Sequence, residues 1–184
     1  ISAHRRLFVL TGAGCSTDSG IPDYRDADGQ WKRTPPVDYR AFMADAAVRR
    51  RYWARSLVGW PHIGRARPNA THHALAALEA AGRVELLLTQ NVDGGQQAEG
   101  SQNVSDLHGR GDQVCCMGCE ARSSRELMQQ RLLHANPGWD VLEAAIAPDG
   151  DADLEADFSA FSVPACDACG GVLKPDVVFF GSHV

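Results

Sequence analysis

Leu7-Phe8-Val9-Leu10-Thr11-Gly12-Ala13-Gly14-Cys15-Ser16 joins a short apolar run to a turn that holds two glycines. An apolar run bounded by a turn is consistent with a buried parallel strand. Gly12 and Gly14 permit a tight turn and let a phosphate approach backbone N–H groups. A segment starting at Ser16 would then offer a helix N-terminus to the anion. On its own, Gly-x-Gly after a strand is weak evidence, since a plain strand-to-helix turn reads the same way. The dinucleotide fingerprint of hydride-transfer enzymes asks for a third glycine three residues after the second, and for an acidic residue closing a second strand about 20 residues on. Here the next glycine is Gly20, and Ile21-Pro22-Asp23-Tyr24-Arg25-Asp26 reads as a loop. The next strand signal is Val84-Glu85-Leu86-Leu87-Leu88-Thr89, so a standard hydride-transfer fold is disfavoured.

The region between these strands reads as polar and turn-rich from Asp26 to Pro36. From Tyr39 to Trp60 an amphipathic helix pair follows, with Phe42, Met43, Val48, Tyr52, Trp53 and Leu57 at helical spacing. Thr71 is the expected N-cap of a helix over Ala74 to Ala81, and Gly82 its stop. After the second strand come Gln90-Asn91-Val92-Asp93-Gly94, polar residues at a carboxyl strand end, where open α/β sheets bind ligands. Asn91 and Asp93 could hold ribose hydroxyls or cap a turn. Val104 to Leu107 reads as a third strand, with His108-Gly109 at its end. A lone histidine is more often structural than catalytic. A place at a strand end favours chemistry, because imidazole transfers protons near neutral pH.

Two Cys-x-x-Cys pairs, Cys116/Cys119 and Cys166/Cys169, share the chain with Cys15 and Cys115 only. Zinc takes four soft ligands in a tetrahedron, and each Cys-x-x-Cys turn converges two thiolates on one ion. A redox pair or two disulfides are the competing readings. Four-thiolate zinc is preferred, because no signal peptide precedes the chain and Cys15 would be left unpaired in an oxidising compartment. Such a closed site has no position for substrate and is structural. Val114-Cys115-Cys116 reads as a strand end leading into the zinc turn.

The bulk properties agree with a soluble intracellular protein. The 184 residues, 44% hydrophobic, suit one domain, or one with a small insert. A net charge of -5 argues against nonspecific nucleic-acid binding. No apolar run approaches the roughly 18 residues of a membrane span. The segment from 148 to 160, rich in Asp and Glu, reads as a solvated loop or short helix.

Taken together, these residues resemble the sirtuins, the NAD-dependent protein-lysine deacylases. The resemblance rests on Thr11 to Ser16 with Ser19-Gly20-Ile21-Pro22-Asp23-Tyr24-Arg25, on Thr89 to Gly94, on Leu107-His108-Gly109, on both cysteine pairs, and on Leu173-Lys174-Pro175-Asp176-Val177-Val178-Phe179-Phe180-Gly181. It is closest to the class II branch through Tyr52-Trp53-Ala54-Arg55, Gly59-Trp60-Pro61, and the stretch from Asn136-Pro137 through Ala147-Pro148-Asp149-Gly150-Asp151. That branch is associated with removal of acetyl and bulkier groups such as lipoyl, and with ADP-ribosyl transfer. The Tyr-x-x-Arg clamp of the desuccinylase branch is read as absent, the matching place being Trp53-Ala54-Arg55-Ser56-Leu57, so negatively charged acyl groups are not expected.

The resemblance implies that Gly12, Ala13, Gly14 and Ser16 cradle NAD, and that Asp23, Tyr24 and Arg25 belong to a cofactor loop closing over the nicotinamide ribose. Gln90, Asn91 and Asp93 would contact ribose and the nicotinamide pocket. His108 would be the general base, with Asn91 beside it as a catalytic residue. In the family reaction the acyl oxygen of the lysine attacks C1′ of the ribose and nicotinamide leaves. The base then activates a ribose hydroxyl, and water yields free lysine and 2′-O-acyl-ADP-ribose. Val177 to Gly181 would be an edge strand to which an acylated-lysine peptide adds, with Val178 near the acyl-lysine and Phe180 lining its tunnel. Degeneration to a binding module for ADP-ribose or acyl-lysine is the non-enzymatic alternative.

The implied fold is α/β: a discontinuous Rossmann-like parallel sheet from residues 1–27, 65–109 and 174–184, C-terminally incomplete, with a small domain made of a helical insert at 28–64 and a zinc ribbon at 110–173. The family continues well beyond the equivalent of Gly181, and has Leu-His where Gly95-Gln96 follow Asn-Val-Asp-Gly here. The implied cofactors are NAD and structural zinc, and the implied compartment is bacterial cytoplasm, or the mitochondrial matrix.

Overall fold

The computed structural model describes residues 4–23, 28, 30, 37–139, 141–142, 152 and 154–182. Tyr24, Arg25 and, within the acidic stretch from 148 to 160, residues 148–151 and 153 therefore lie outside the described residues. The opening run forms β1 (Leu7–Thr11), which pairs in parallel with β2 (Val84–Thr89), and β2 pairs in parallel with β3 (Val104–Asp106). Register places Thr11 beside Thr89 and Thr89 beside Asp106, so three strands end at one edge of the sheet. β1 is an edge strand of this sheet, with Phe8 64% and Leu10 56% exposed. Its apolar run is thus not buried on both faces, as its composition predicts for a parallel strand.

Helix starts follow their capping chemistry. Asp38 Oδ1 accepts from Arg40 N and Ala41 N to open α1 (Tyr39–Ala44), and Asp45 Oδ1 accepts from Ala47 N to open α2 (Ala46–Ile63). The extended backbone of Asp45 separates the two helices, and Arg49 Nη1 donates to the freed carbonyls of Phe42 and Met43 at the end of α1. α3 (Ala70–Ala80) begins four residues earlier than its apolar pattern predicts, because Asn69 rather than Thr71 is its cap. Asn69 Oδ1 accepts from Thr71 N, and its Nδ2 donates to Cys15 O and Ser19 Oγ, tying the helix start to the glycine turn.

The second sheet has the order β5-β4-β6 and is antiparallel. It comprises β4 (Gly109–Cys116), β5 (Arg122–Ser124) and β6 (Leu173–Val177). Residues 173–177 therefore join the cysteine-bearing strands and not the parallel sheet, which corrects the expected grouping of 174–184 with the nucleotide fold. Of the expected strand Val177–Gly181 only Val177 lies in the β6 ladder; beyond it Val178 N donates to His108 O and Phe180 makes a single parallel bridge with Asp38. α5 (Arg125–Ala135), capped by Ser124 Oγ on Leu127 N, is a helix inside the segment read as zinc ribbon.

The hydrophobic core lies between α1, α2, α5 and the second sheet. Phe42, Trp53, Leu57, Val114, Met128, Leu132, Phe161 and Leu173 are buried together there. Phe42 packs edge-on against Phe179 at 5.2 Å and Tyr52 at 5.4 Å, and Trp53 Nε1 donates to Leu173 O at 3.2 Å. Each such large apolar side chain contributes about 1.5–3 kcal/mol on burial. The helical insert and the cysteine module thus share one core. Among the described residues no helix is long and apolar enough to cross a membrane.

Candidate functional site

β1 delivers Gly12 and β2 delivers Gln90 to Gly94 to the same edge of the parallel sheet. Two 3₁₀ turns, Ala13–Cys15 and Thr17–Ser19, follow Gly12 in place of the helix expected from Ser16. A helix N-terminus is therefore not what faces this edge. Instead, a polar network fixes the turn: Ser16 Oγ donates to Asp93 Oδ2 at 2.7 Å, and Asn91 Nδ2 donates to Gly12 O and Ser16 Oγ, each at 3.0 Å. Asp93 Oδ1 accepts from Gly95 N at 2.7 Å at the start of α4 (Gly95–Ala98). Between the two roles open to Asn91 and Asp93, the structure gives both residues the turn-holding one. Each retains acceptor capacity for a further partner.

β3 delivers His108. Its Nδ1 lies 3.0 Å from Gln90 O. A carbonyl only accepts, so the proton sits on Nδ1 and Nε2 carries the lone pair, the state a general base requires. Val178 N donates to His108 O at 2.9 Å and Gly111 N to Val92 O at 2.8 Å, which draws the second sheet onto the ends of β2 and β3.

A cavity of about 710 Å³ opens at this junction. Ala13, Ser16, Asp23, Gln90, Asn91, Asp93 and His108 line it from the parallel sheet, and Val178 and Phe180 from the segment after β6. Gly12 and Gly14 are not among its lining residues. Gly12 O instead anchors Asn91, and a Cβ on Gly14 would meet nothing within 4 Å. Tyr52, Ser56, Trp60, Ile63 and Arg125 form the wall on the helical side. The volume lies within the ~300–1,000 Å³ typical of small-molecule sites.

Tyr52 and Arg55 do stand three apart on α2, so the tyrosine and arginine of a Tyr-x-x-Arg pair are present after all. They do not act as a clamp, because Tyr52 borders the cavity while Arg55 Nε donates to Ala152 O at 2.7 Å.

Behind the turn lies a cluster that the sequence does not announce. His72, 1% exposed, accepts from Asn69 N through Nδ1 at 3.2 Å. Cys15 Sγ lies 3.9 Å from His72 Nε2 and accepts from Gln96 Nε2 at 3.5 Å. A Cβ on Gly95 would stand 2.6 Å from His72 Nε2, so the imidazole fills the space where the family pattern has leucine. Gly95→Ala is expected to lower stability by about 1–3 kcal/mol through overpacking, read as a fall in the urea midpoint at unchanged slope.

Burial lowers the His72 pKa, against the opposing pull of Asp93 and Glu99. In the unfolded chain the ring titrates near 6.5. Its contribution to stability is therefore complete above about 6.5 and is lost as the pH falls through the lower folded value. Tm measured from pH 7.5 down to 5 should fall less steeply in His72→Gln than in the parent chain. Equal slopes would refute this.

The four cysteines form a separate centre, and all four Sγ atoms lie within 4.8 Å of one another. Cys116 and Cys169 are 3.5 Å apart and Cys119 and Cys166 3.8 Å apart, close to the ~3.8 Å edge of a tetrahedron with 2.3 Å Zn–S bonds and far from a disulfide length of ~2.05 Å. Gly171 is required there, since a Cβ would lie 2.9 Å from Cys116 Sγ. Backbone N–H groups of Cys119 and Gly118 lower the Cys116 thiol to about 6, favouring the thiolate a metal needs. The donor set fits zinc, and four protein ligands leave no open position.

Residues 12–184 match the Sir2 family. The chain belongs to the Sir2 family. The NAD-dependent protein deacetylase of Xanthomonas campestris pv. campestris (strain 8004) is 69% identical over 185 residues, which cover all of this chain and 63% of that protein. The chain thus spans less than two thirds of that relative's length. A Sir2 homologue solved as an ADP-ribose complex is 31% identical, with a TM-score of 0.70 over 100% of this chain and 62% of its own. A Sir2 structure with a p53 peptide and NAD+ is 30% identical, with a TM-score of 0.70 over 98% of this chain and 61% of its own.

Proposed function

We propose that this chain carries the catalytic half-site of an NAD-dependent protein-lysine deacylase that releases nicotinamide and 2′-O-acyl-ADP-ribose. The observation that carries the reading is the placement of His108 Nε2, with its tautomer fixed by Gln90 O, in the same cavity as the Ser16–Asn91–Asp93 network. The cavity edge fits a dinucleotide: the turn after Gly12 is free of bulky side chains and is braced by Asn91 from below. Gly12, Ala13, Gly14, Ser16, Asp23, Tyr24, Arg25, Gln90, Asn91 and Asp93 would hold NAD, which supplies an electrophilic ribose carbon when bound.

His108 Nε2 then accepts a proton from a ribose hydroxyl, and the bond from Nδ1 to Gln90 O steadies the imidazolium that forms. Asp93, held by Ser16 and Gly95 N, adds negative charge beside the region where positive charge develops. Ile21, Pro22, Val177 and Phe179 exclude water along the apolar flank. An acyl-lysine would enter past Val178 and Phe180, with Val178 held by its N–H on His108 O. Zinc, fixed by Cys116, Cys119, Cys166 and Cys169, would act only by holding the second sheet. A reducing compartment such as the bacterial cytoplasm suits free thiols at this spacing.

The test is nicotinamide release from NAD with acetylated, lipoylated and unmodified peptides. Release that depends on the acyl group supports deacylation. Release with unmodified peptide points to ADP-ribosyl transfer, and ADP-ribose binding without release to a binding module.

A further inference from the structure

Of the 18 lysines and arginines only Lys32 and Lys174 are lysines, and Lys174 sits in β6 with 7% of its surface exposed. Its Nζ donates to Pro175 O at 2.7 Å and to Val177 O at 2.5 Å, and lies 4.7 Å from the Phe179 ring centroid. An ammonium has three donors and no acceptor, so two carbonyls and one ring face satisfy it. A guanidinium fork serves acceptors lying in its own plane, whereas an ammonium serves acceptors spread around a point. The three partners of Lys174 therefore give a reason for lysine at this place in a chain otherwise dominated by arginine.

Lys174 is not among the residues that line the cavity, but all three of its partners are: Pro175, Val177 and Phe179. The carbonyl of Val177 and the N–H of Val178 belong to one planar peptide unit. Lys174 holds the carbonyl end of that plane, and the N–H end donates to His108 O at 2.9 Å. A positive charge on the carbonyl polarises the unit and strengthens the bond at its other end. The Phe179 ring packs in turn against Phe42 at 5.2 Å and Tyr52 at 5.3 Å, so the same ammonium meets the core beside α1 and α2. We propose that Lys174 is a positioning residue for the reaction: by pinning the Val177–Val178 peptide plane it sets both the anchor of the His108 backbone and the wall that an acyl-lysine passes. This rests on the deacylase reading and adds to it a residue that touches neither NAD nor substrate. A lysine that only filled the core would stabilise the second sheet as a whole, the cysteine centre included. A positioning lysine acts on one peptide plane and on the recognition of acyl-lysine.

The test uses the zinc-loaded chain and two readouts: fluorescence anisotropy with one peptide carrying lysine or acetyl-lysine, and amide exchange followed by NMR. The parent should prefer the acetyl-lysine peptide. In Lys174→Met that preference should fall about tenfold, and exchange at the Val178 amide should rise by a similar factor. Zinc content and exchange at Val114 to Cys116 should keep their parent values. Lys174→Arg, which has the charge and the donors in another geometry, should lie between the two, its loss of preference and its Val178 exchange moving together. If Lys174→Met does not fold, Lys174→Arg decides: unless both readouts move together there, the inference is overturned. Undiminished preference in a folded Lys174→Met overturns it and leaves deacylation standing. Loss of zinc or faster exchange at Val114 to Cys116 in that variant also overturns it, since Lys174 would then be structural. If the parent does not prefer acetyl-lysine over lysine, the deacylase reading itself fails, and this inference with it.

Discussion

Cys116→Ser should lose the metal and, with it, the folded state of the second sheet and of α5. Cys116 is the last residue of β4, is fully buried in the main core, and contacts Cys169 at the metal centre. Structural zinc contributes an apparent ~10–16 kcal/mol in small sites. That equals or exceeds the whole stability of an ordinary domain, about 5–15 kcal/mol. One zinc per chain should appear in a colorimetric release assay on the parent and none on the variant, and the near-UV circular dichroism of buried Trp53 should vanish. EDTA should do the same to the parent. Cys115→Ser is the control, because Cys115 lies outside the four-sulfur cluster, and zinc content should stay at one. A metal-free variant with a native near-UV spectrum would show that the centre is not structural.

His108→Ala should lower nicotinamide release by about 10²–10⁴-fold, the usual worth of a positioned general base. The fold should survive, because the ring is partly exposed and its hydrogen bond is to a carbonyl at a strand end. Unchanged Tm with lost release separates a chemical role from a structural one. An unchanged rate would remove His108 from the mechanism and leave Asn91 and Asp93 as the groups to test.

The parts of this molecule that were readable in the sequence are those where a local pattern and the tertiary role coincide. Leu7 to Leu10 and Val84 to Thr89 are short apolar runs, and both are strands of the parallel sheet. Cys-x-x-Cys spacing converges sulfurs by local geometry alone, so the metal centre needed no knowledge of the fold. β6 was displaced in the reading because Val177 to Phe180 is the apolar run, whereas the strand is Leu173–Val177 and contains a lysine and a proline. Proline is tolerated there, on an edge strand of the sheet. Lys174 is tolerated because its Nζ donates to the carbonyls of Pro175 and Val177 and lies 4.7 Å from the Phe179 ring centroid.

α5 escaped notice for a related reason. Its buried face is Arg125, Met128, Gln129 and Leu132, half polar, so apolar periodicity is diluted. The missed site residues share that origin: Arg125, His72 and Gln96 acquire meaning only from partners 69, 57 and 81 positions away. The polar start Asn69-Ala70-Thr71-His72 was a usable signal, because a cap followed three residues later by a group that can return a hydrogen bond is a capping-box pattern.

β4 has an eight-residue span that begins beside His108 and ends on a zinc ligand. Its first residue, Gly109, has φ +75°, and a Cβ there would lie 2.1 Å from Asp176 O, so the backbone crosses between the two sheets at a point no other residue can occupy. Two residues on, Gly111 N bonds to Val92 O in the loop that carries Asn91 and Asp93. The strand is therefore expected to open as one unit. Solvent exchange at the Gly111 amide should serve as a remote gauge of metal occupancy: slow while the sulfurs are held together, and faster, in step with the amides of Val114 to Cys116, once they part.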